Sequence, residues 1–521
     1  MKRKRSWRLA GMITLVVALG VGVALWAGVG QSSTSASVLI DGTSDSVTNI
    51  DPAGNYDFGS ATVDYLLFEH LLDFKPGGGA PYYNLAQRCA FVGGLRTYTC
   101  TLRRGIKFTN GDDFTSADVK FSFDRVVKIK DPSGIYTLLG NLASVTTKGD
   151  YSVTFHLKAP QATWPLILTT GAAWIVDSKV YPADKVQPST SEQVGTGPYK
   201  LDKYVPGQQV VVSKFDDYHG AAPKNDSVII RYYTKSSTMK LALTKGDIDM
   251  AFREFTPTEL RSLETAKGIT VHKGNASNIR YLVLNVKRPP TDNIAVRRAI
   301  AYLMPRQTIA TRVYHGDVTP LYSMTPKGFP GHIDSFAQLY GRTPSVAKAK
   351  ATLLKAHLQT PIALTIWWTP THYGDASADE YAEIQRALNA SGLFKVTLKS
   401  AEWAQYSDAL GKQYGLFQLG WFPDYPDAEN YLLPFYSKGN FTSNNYSNPK
   451  MTALILKEQA AESPAQRFGI IKQAQLLAAK DVPIIPYWQG KMIAVTRSNV
   501  HGVDKTLDPT FIMRFWVISK S

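Results

Sequence analysis

The sequence predicts a mixed α/β protein large enough for several packed units. Three observations carry that prediction. The 521 residues are 44% hydrophobic, 19% charged and 11% aromatic, a balance that excludes a disordered chain. At roughly 150 residues per domain, the length gives a soft prior of about three domains. Apolar runs with a period of two alternate with runs of helical period along most of the chain.

The elements follow in order. Val38-Leu39-Ile40 reads as a short apolar strand, and the turn-rich stretch 41–59 leads to a helix over 62–72. Ile106-Lys107-Phe108 reads as a strand closed by a turn at Asn110-Gly111. Thr115 with Asp118 fits a capping box, so a helix follows with Val119, Phe123 and Val126 on one face. The turn Gly195-Thr196-Gly197-Pro198-Tyr199 precedes a strand over 199–204, which pairs with 209–214. Strands are also predicted at 228–233, 281–285, 362–368, 394–399 and 416–421. Helices are predicted at 239–243, stopped by Gly246, and at 378–390. Val296, Ala299, Ile300 and Leu303 form a helical stripe, with Arg297 and Arg298 placed on the solvated side. Ser463 and Pro464 open a further long helix.

The N-terminus reads as an export address. Lys2, Arg3, Lys4, Arg5 and Arg8 precede an uncharged apolar run, Leu9 to Gly30, and a small polar stretch from Gln31 to Ser37. Residues 1–36 are therefore expected to be a signal peptide or an N-terminal membrane anchor. Cleavage near Ala36 competes with retention, because Thr34 suits the −3 position poorly and the apolar run is long enough to span a bilayer. The region has no cysteine, so a cysteine-linked lipid anchor is excluded. The rest of the chain is expected on the extracellular face or in the cell envelope. The formal charge of +16 takes five of its units from this segment, and the remainder is diffuse. A diffuse surplus reads as a solvated surface, not a nucleic-acid-binding stripe.

Cys89 and Cys100 are the only cysteines. They sit on two strand-like flanks around Gly93-Gly94, opposite each other if a two-residue turn falls at Gly94-Leu95. In an oxidising compartment a cross-strand disulfide is the preferred reading, against a free buried pair or a metal site. Two cysteines without neighbouring histidines make a poor zinc site.

Seven ordered segments carry a family resemblance. They are LRRGIKFTNGDDFTSADVKFSFDRV, GTGPY, LALTKGDIDM, YLVLNVKRPPTDNIAVRRAIAYLMPRQTI, EWAQY, LGWFPDYPDAENYL and VPIIPYW. Together they resemble the extracellular solute-binding proteins of family 5, the dipeptide-, oligopeptide- and nickel-binding components of ABC importers. The resemblance runs from about residue 50 to about residue 490. It implies a two-lobed periplasmic-binding-protein-like α/β fold with the ligand between the lobes. Lobe I would comprise 38–278 plus 491–521, with an extra subdomain at about 80–190. Lobe II would comprise 279–490. It also implies hinge closure, no catalysis and no cofactor or metal. The implied partners are a peptide or other small solute and the membrane permease subunits, with the protein a monomer.

The site residues come from the same resemblance. In the family, the aspartate of G-W-x-x-D pairs with the peptide ammonium. Here the segment is Gly420-Trp421-Phe422-Pro423-Asp424, which assigns that role to Asp424, with Asp427 as the nearby competitor. Trp403 and Trp421 are implied to be aromatic walls for side-chain pockets. Trp367 and Trp368 end a strand, so at most one faces the ligand, and Trp368 is retained. Some relatives hold the peptide carboxylate with an arginine on the strand before G-W or in the preceding loop. This chain has Gln418 on that strand, and His372 and Tyr373 in the loop. The ligand is then longer, neutral at that end, or not a peptide.

Other classes find less support. A secreted hydrolase needs a nucleophile or a metal, and neither G-x-S-x-G nor H-E-x-x-H is present. The nine histidines show no metal-binding spacing; His70, His156 and His219 read as ordinary surface or core residues. Oligosaccharide or metal-chelate binding remains the alternative within the family.

Overall fold

The computed structural model describes residues 37–521 except Arg253, Glu254, Thr371 and Asp375. The expected export segment, 1–36, lies outside the described residues. A central sheet organises the chain. Its strands run in the order Phe394–Ser400, Ile362–Trp368, Leu416–Trp421, Ile269–Leu284, Ile484–Arg497, Met250–Phe252, Val38–Thr43, Ser227–Tyr232, Gln209–Lys214 and Tyr199–Val205. The short strand Thr319–Pro320 pairs with Ile484–Arg497 beside this path.

Two strands are much longer than the sequence periodicity indicates. Ile269–Leu284 and Ile484–Arg497 pair antiparallel from Ile269 opposite Arg497 to Val283 opposite Ile484. Their register shifts between Asn275 and Ile279 and again at Arg280/Tyr281. Such irregularities bend a ladder without ending it. The polar, glycine-containing stretch around Lys273-Gly274-Asn275 hides the first half of the strand from a hydrophobic-pattern reading.

The pair joins separate apolar cores. One is built from residues between Leu39 and Phe252 and closed by Met492 to Ile518. At the other end both faces of the sheet are covered. Leu282 and Leu284 point into a core with Val296, Ile300 and Ile366. Ile279, Tyr281 and Val283 point into another with Phe417, Leu419 and Phe435. Alternate residues of a strand face opposite ways, so a strand buried on both faces needs apolar residues at nearly every position. YLVL supplies them.

A separate four-stranded antiparallel sheet takes the order Ala86–Phe91, Thr97–Leu102, Ser152–Leu157, Leu142–Thr147. Helix Ser116–Ile129 lies against it, with the capping box formed by Thr115 and Asp118. Cys89 stands opposite Cys100 and the two form a disulfide. The turn is longer than two residues: the strands stop at Phe91 and resume at Thr97, with Val92 N–H donating to the Thr97 carbonyl at 2.9 Å.

Three local expectations need correction. Residues 106–108 form no strand, only a single bridge between Lys107 and Asp113. The predicted helix 62–72 is Phe58–Leu67, started by the Asp57 cap on Ser60 N–H. It stops because the Leu67 carbonyl turns to Gly197 N–H at 2.9 Å. That approach also explains the glycines of GTGPY: a Cβ on Gly195 or Gly197 would fall 2.0–2.7 Å from Leu67 backbone atoms. Arg297 is buried, not solvated. Its guanidinium donates to the carbonyls of Thr291, Asp292 and Asp481, tying the helix to the C-terminal end of helix Pro464–Asp481.

The first core contains a buried ion pair. Arg125 meets Asp51 through both terminal nitrogens, at 2.7 and 2.5 Å, with side chains 2% and 0% exposed. Asp51 also accepts from Gln187 N–H and Ala53 N–H. Removing one partner of such a pair strands the other charge. Asp51→Ala is expected to cost about 3–5 kcal/mol of stability, read from urea denaturation. Asp51→Ala with Arg125→Met should recover part of that loss.

Candidate ligand-binding site

The strand Leu416–Trp421 delivers Trp421 and then the turn Phe422-Pro423-Asp424 at the junction of the cores. Asp424 is half-buried and its carboxylate is held by neutral donors only. Tyr56 donates its phenol to Oδ1, and Asn430 Nδ2 donates to Oδ2 at 2.8 Å. Asn430 Oδ1 in turn accepts from Asp424 N–H and Trp421 Nε1, each at 3.0 Å. One amide thus fixes both the turn and the tryptophan.

The electrostatics single out Asp424. Burial raises its carboxyl above the ordinary range, and the bonds from Tyr56 and Asn430 offset only part of that rise. No cation among the described residues contributes. Tyr56 is 48% exposed, yet burial followed by the Asp424 charge pushes its phenol well up. Groups crowded by protein and still open to solvent sit in a recess. The competitor Asp427 is already neutralised: Arg467 grips it through both terminal nitrogens, and it caps the turn at Glu429 N–H.

The aromatic candidates divide. Trp403 is half-buried and stacked on the exposed His372 ring, centroids 3.6 Å apart and 10° from parallel. Tyr373 meets the edge of the same indole. Trp421 packs on Phe435 and Phe441 with part of its surface open. Trp367 stacks on Tyr414 in one core while Trp368 packs against the opposite core, as strand alternation requires. Pocket walls built this way accept varied side chains because apolar contact is non-directional.

Gln418 is corrected. It is fully buried, and its amide is used internally. Its Oε1 accepts from Thr369 N–H, and its Nε2 donates to Ser377 and Glu380. It ties Thr369 to Ser377 and Glu380 and is buried away from solvent.

Sequence reasoning missed three residues. Tyr56 and Asn430 carry no signal beyond being polar near turns. Arg280 immediately precedes the predicted strand 281–285 and was given no role. In the structure it is 6% exposed and lies across Gly420, its directly paired neighbour. A Cβ on Gly420 would meet Arg280 Nη1 at 2.4 Å, so the glycine of G-W-x-x-D makes room for a guanidinium. That guanidinium is sandwiched between the rings of Tyr373 and Trp488, at 3.8 and 4.9 Å from their centroids. Tyr373 also accepts a hydrogen bond from Gly420 N–H at 2.9 Å.

Comparison with known proteins identifies the family and the fold. Residues 80–443 match the family model described as "Bacterial extracellular solute-binding proteins, family 5 Middle". The chain is 25% identical over 464 residues to the dipeptide-binding protein of Escherichia coli K12, covering 84% of this chain and 86% of that protein. It is 28% identical over 419 residues to the glutathione-binding protein GsiB of Salmonella choleraesuis, covering 78% and 80%. Among solved structures, the periplasmic binding protein DppA of Helicobacter pylori, in complex with the peptide STSA, superposes with a TM-score of 0.78. That match has 23% identity over 93% of this chain and 98% of the other. The substrate-binding protein CtaP of Listeria monocytogenes gives 0.81, at 20% identity over 93% and 99%. These likenesses give the chain the two-lobed α/β fold of periplasmic binding proteins. With most of its length matched in order, and the G-W-x-x-D turn standing at the junction of its cores, the chain belongs to the bacterial extracellular solute-binding proteins of family 5.

Proposed function

We propose that the chain is the extracytoplasmic binding component of an ABC importer. It captures peptides between two lobes and delivers them, as a monomer and without chemical conversion, to membrane permease subunits. Lobe I is taken as 38–278 with 491–521, including a subdomain at about 80–190, and lobe II as 279–490. The separate apolar cores and the two long strands that join them support this division. Export by residues 1–36 fits the family's extracellular description.

The observation that carries the reading is Asp424. A carboxylate crowded by protein and lacking a cation is unfavourable in the ligand-free protein. A ligand ammonium removes that cost by pairing with it. Tyr56, which reaches Asp424 from the N-terminal part of the chain, occupies one of the oxygens an ammonium would use. It therefore has to share or yield Oδ1 when ligand enters. Trp403, Trp421, Tyr373, His372 and Trp368 are proposed as the surrounding wall, in descending order of support from their exposure and aromatic contacts.

A charge-assisted hydrogen bond contributes about 1.5–3 kcal/mol, or about 10- to 100-fold in affinity. Asp424→Asn is therefore expected to weaken free-amine peptides by that factor in isothermal titration calorimetry. N-acetylated peptides should bind parent and variant alike. Equal affinity of both proteins for free-amine peptides would remove Asp424 from the site. Sugars in place of peptides among co-purified ligands, identified by mass spectrometry, would move the reading to the oligosaccharide branch.

The pH dependence has a definite sign. The Asp424 carboxyl is raised by burial, so it takes up a proton at higher pH than an exposed aspartate, whose ordinary pKa is about 3.9. In the ligand-free protein, the stability cost of its ionised form is present at neutral pH. That cost disappears as pH falls through the raised pKa to the ordinary one. Binding runs the other way, because the ammonium needs the carboxylate. Affinity for a free-amine peptide should fall on acidification, starting above the range of an ordinary aspartate, and the Asp424→Asn profile should be flat there.

A further inference from the structure

The loop that follows the helical stretch Arg306–Thr308 and Ile309–Val313 is built to accept hydrogen bonds from cations. Gly316 N–H closes the stretch on the Ala310 carbonyl at 2.8 Å. His315 and Gly316 are both left-handed, at φ +50° and +90°. For a histidine that conformation is uncommon, and it ends the helix so that the next carbonyls find partners elsewhere. Three consecutive residues then each meet a cation. The His315 carbonyl accepts from Arg261 at 3.0 Å and the Gly316 carbonyl from Lys491 Nζ at 2.8 Å. The Asp317 carboxylate accepts from Lys273 Nζ at 2.5 Å and from Arg261 at 3.4 Å. The Asp317 side chain is 5% exposed, so in this place its charge depends on those cations.

All three cations lie across the lobe division drawn above, and the loop lies on the other side of it. Asn275 pairs with Lys491, and Lys273 is two residues earlier on the same strand, so both lysines share one face of the long ladder. The polar stretch around Gly274 thereby gains a use. Helix Pro257–Glu264 buries Leu260 and Leu263 and turns Arg261 and Glu264 outward. Glu264 holds Arg261 and Lys273 at 2.7 Å each, which orders the two cations from within their own lobe. Leu260 and Lys491 also line a cavity of about 150 Å³ with Phe422, two residues before Asp424. The ion cluster therefore stands beside the space between the lobes, outside the contacts proposed for the ligand.

We infer that the loop 315–317 and the cations Arg261, Lys273 and Lys491 form an electrostatic clamp that favours the closed arrangement of the lobes. The clamp sets ligand affinity without touching the ligand. The inference rests on the two-lobed reading above and adds to it the groups that bias closure. The register of the long ladder breaks between Asn275 and Ile279, directly after Lys273. Bending at that break moves the loop 315–317 away from the cations of the other lobe. Each pair is partly open to water and weak alone, but Lys273 and Arg261 share the acceptors Asp317 and Glu264, and such a network counts for more than isolated pairs. Because binding draws on the closed fraction, a change in that fraction scales the affinity of every ligand alike. Asp317 is thus a positioning residue.

The test measures the distance between the lobes by electron spin resonance on the full chain. Spin labels are placed at Lys148→Cys and Lys395→Cys, both exposed positions, and the native cysteines are already tied in a disulfide. The parent is expected to show a shorter and a longer distance, with the dipeptide Ala-Phe favouring the shorter. Asp317→Asn should lower the short-to-long ratio by about 3- to 10-fold and weaken Ala-Phe and N-acetyl-Ala-Phe by the same factor. Raising salt from about 0.05 M to about 0.5 M should lower the ratio in the parent and leave Asp317→Asn unmoved. Glu264→Gln, which removes an acid within one lobe, should not lower it. A ratio unchanged in Asp317→Asn overturns the clamp, as does an equal loss in Glu264→Gln. A salt-insensitive ratio in the parent overturns it without any Asp317 variant having to fold. A single distance in the parent, with and without Ala-Phe, overturns hinge closure and the clamp with it. Distances that respond to salt and to Asp317→Asn as expected, in a protein that binds neither peptide, support the clamp and overturn the peptide reading alone.

Discussion

The antiparallel pairing of Ile269–Leu284 with Ile484–Arg497 is the constraint on which the rest of the molecule depends. Each strand begins in one set of apolar residues and ends in another, so the same ladder is structural in both parts. At its far end both faces are covered by apolar layers, which makes register non-negotiable there: a slip of one residue would exchange the two cores. At its middle the register breaks twice, and polar residues replace apolar ones. That is where a sheet can bend while its ends stay fixed, and where Asn278 and Arg280 are placed.

The candidate site centres on a carboxylate, Asp424, that no cation among the described residues neutralises. Several other buried charges are matched: Arg125 with Asp51, Arg467 with Asp427, Arg514 with Asp508. Around the G-W-x-x-D turn the pattern changes. Asp424 has only neutral donors, whereas Arg280 lies against aromatic faces with the Glu380 charge nearby. Burial makes the Asp424 charge unfavourable alone, which is what the proposed pairing with a ligand ammonium relieves. Selectivity of this kind arises from groups left unpaired, because a ligand lacking the matching charge must bury them unrelieved.

Much of the architecture was legible. The capping box at Thr115, the glycine stop at Gly246 and the strands at 362–368, 394–399 and 416–421 depend on local chemistry, and the structure places them within a residue or two of their sequence bounds. The cysteine pairing was legible because hairpin register is a local property, although the turn length was not. The long strands were not, since tertiary pairing overrides the weak β-propensity of their polar halves. Arg297 was misplaced because helical periodicity cannot see a carbonyl brought in by the end of helix Pro464–Asp481. Gln418 was misassigned for a related reason. A polar residue on a strand reads as surface until the partners that satisfy it, here Ser377 and Glu380, are in place.

The sequence by itself determined the alternation of elements, the family and the candidate aspartate, because caps, periodicity and ordered motifs are written in neighbouring residues. It preferred Asp424 to Asp427, three residues away on the same turn, without knowing the surroundings of either. Only the tertiary structure supplied those surroundings, giving Asp427 a guanidinium and Asp424 none among the described residues. It likewise brought Arg280 over Gly420 from a strand far away in the chain. The physical reason is common to both: the charge state and use of a buried group are set by what surrounds it, and those neighbours are fixed by long-range strand register.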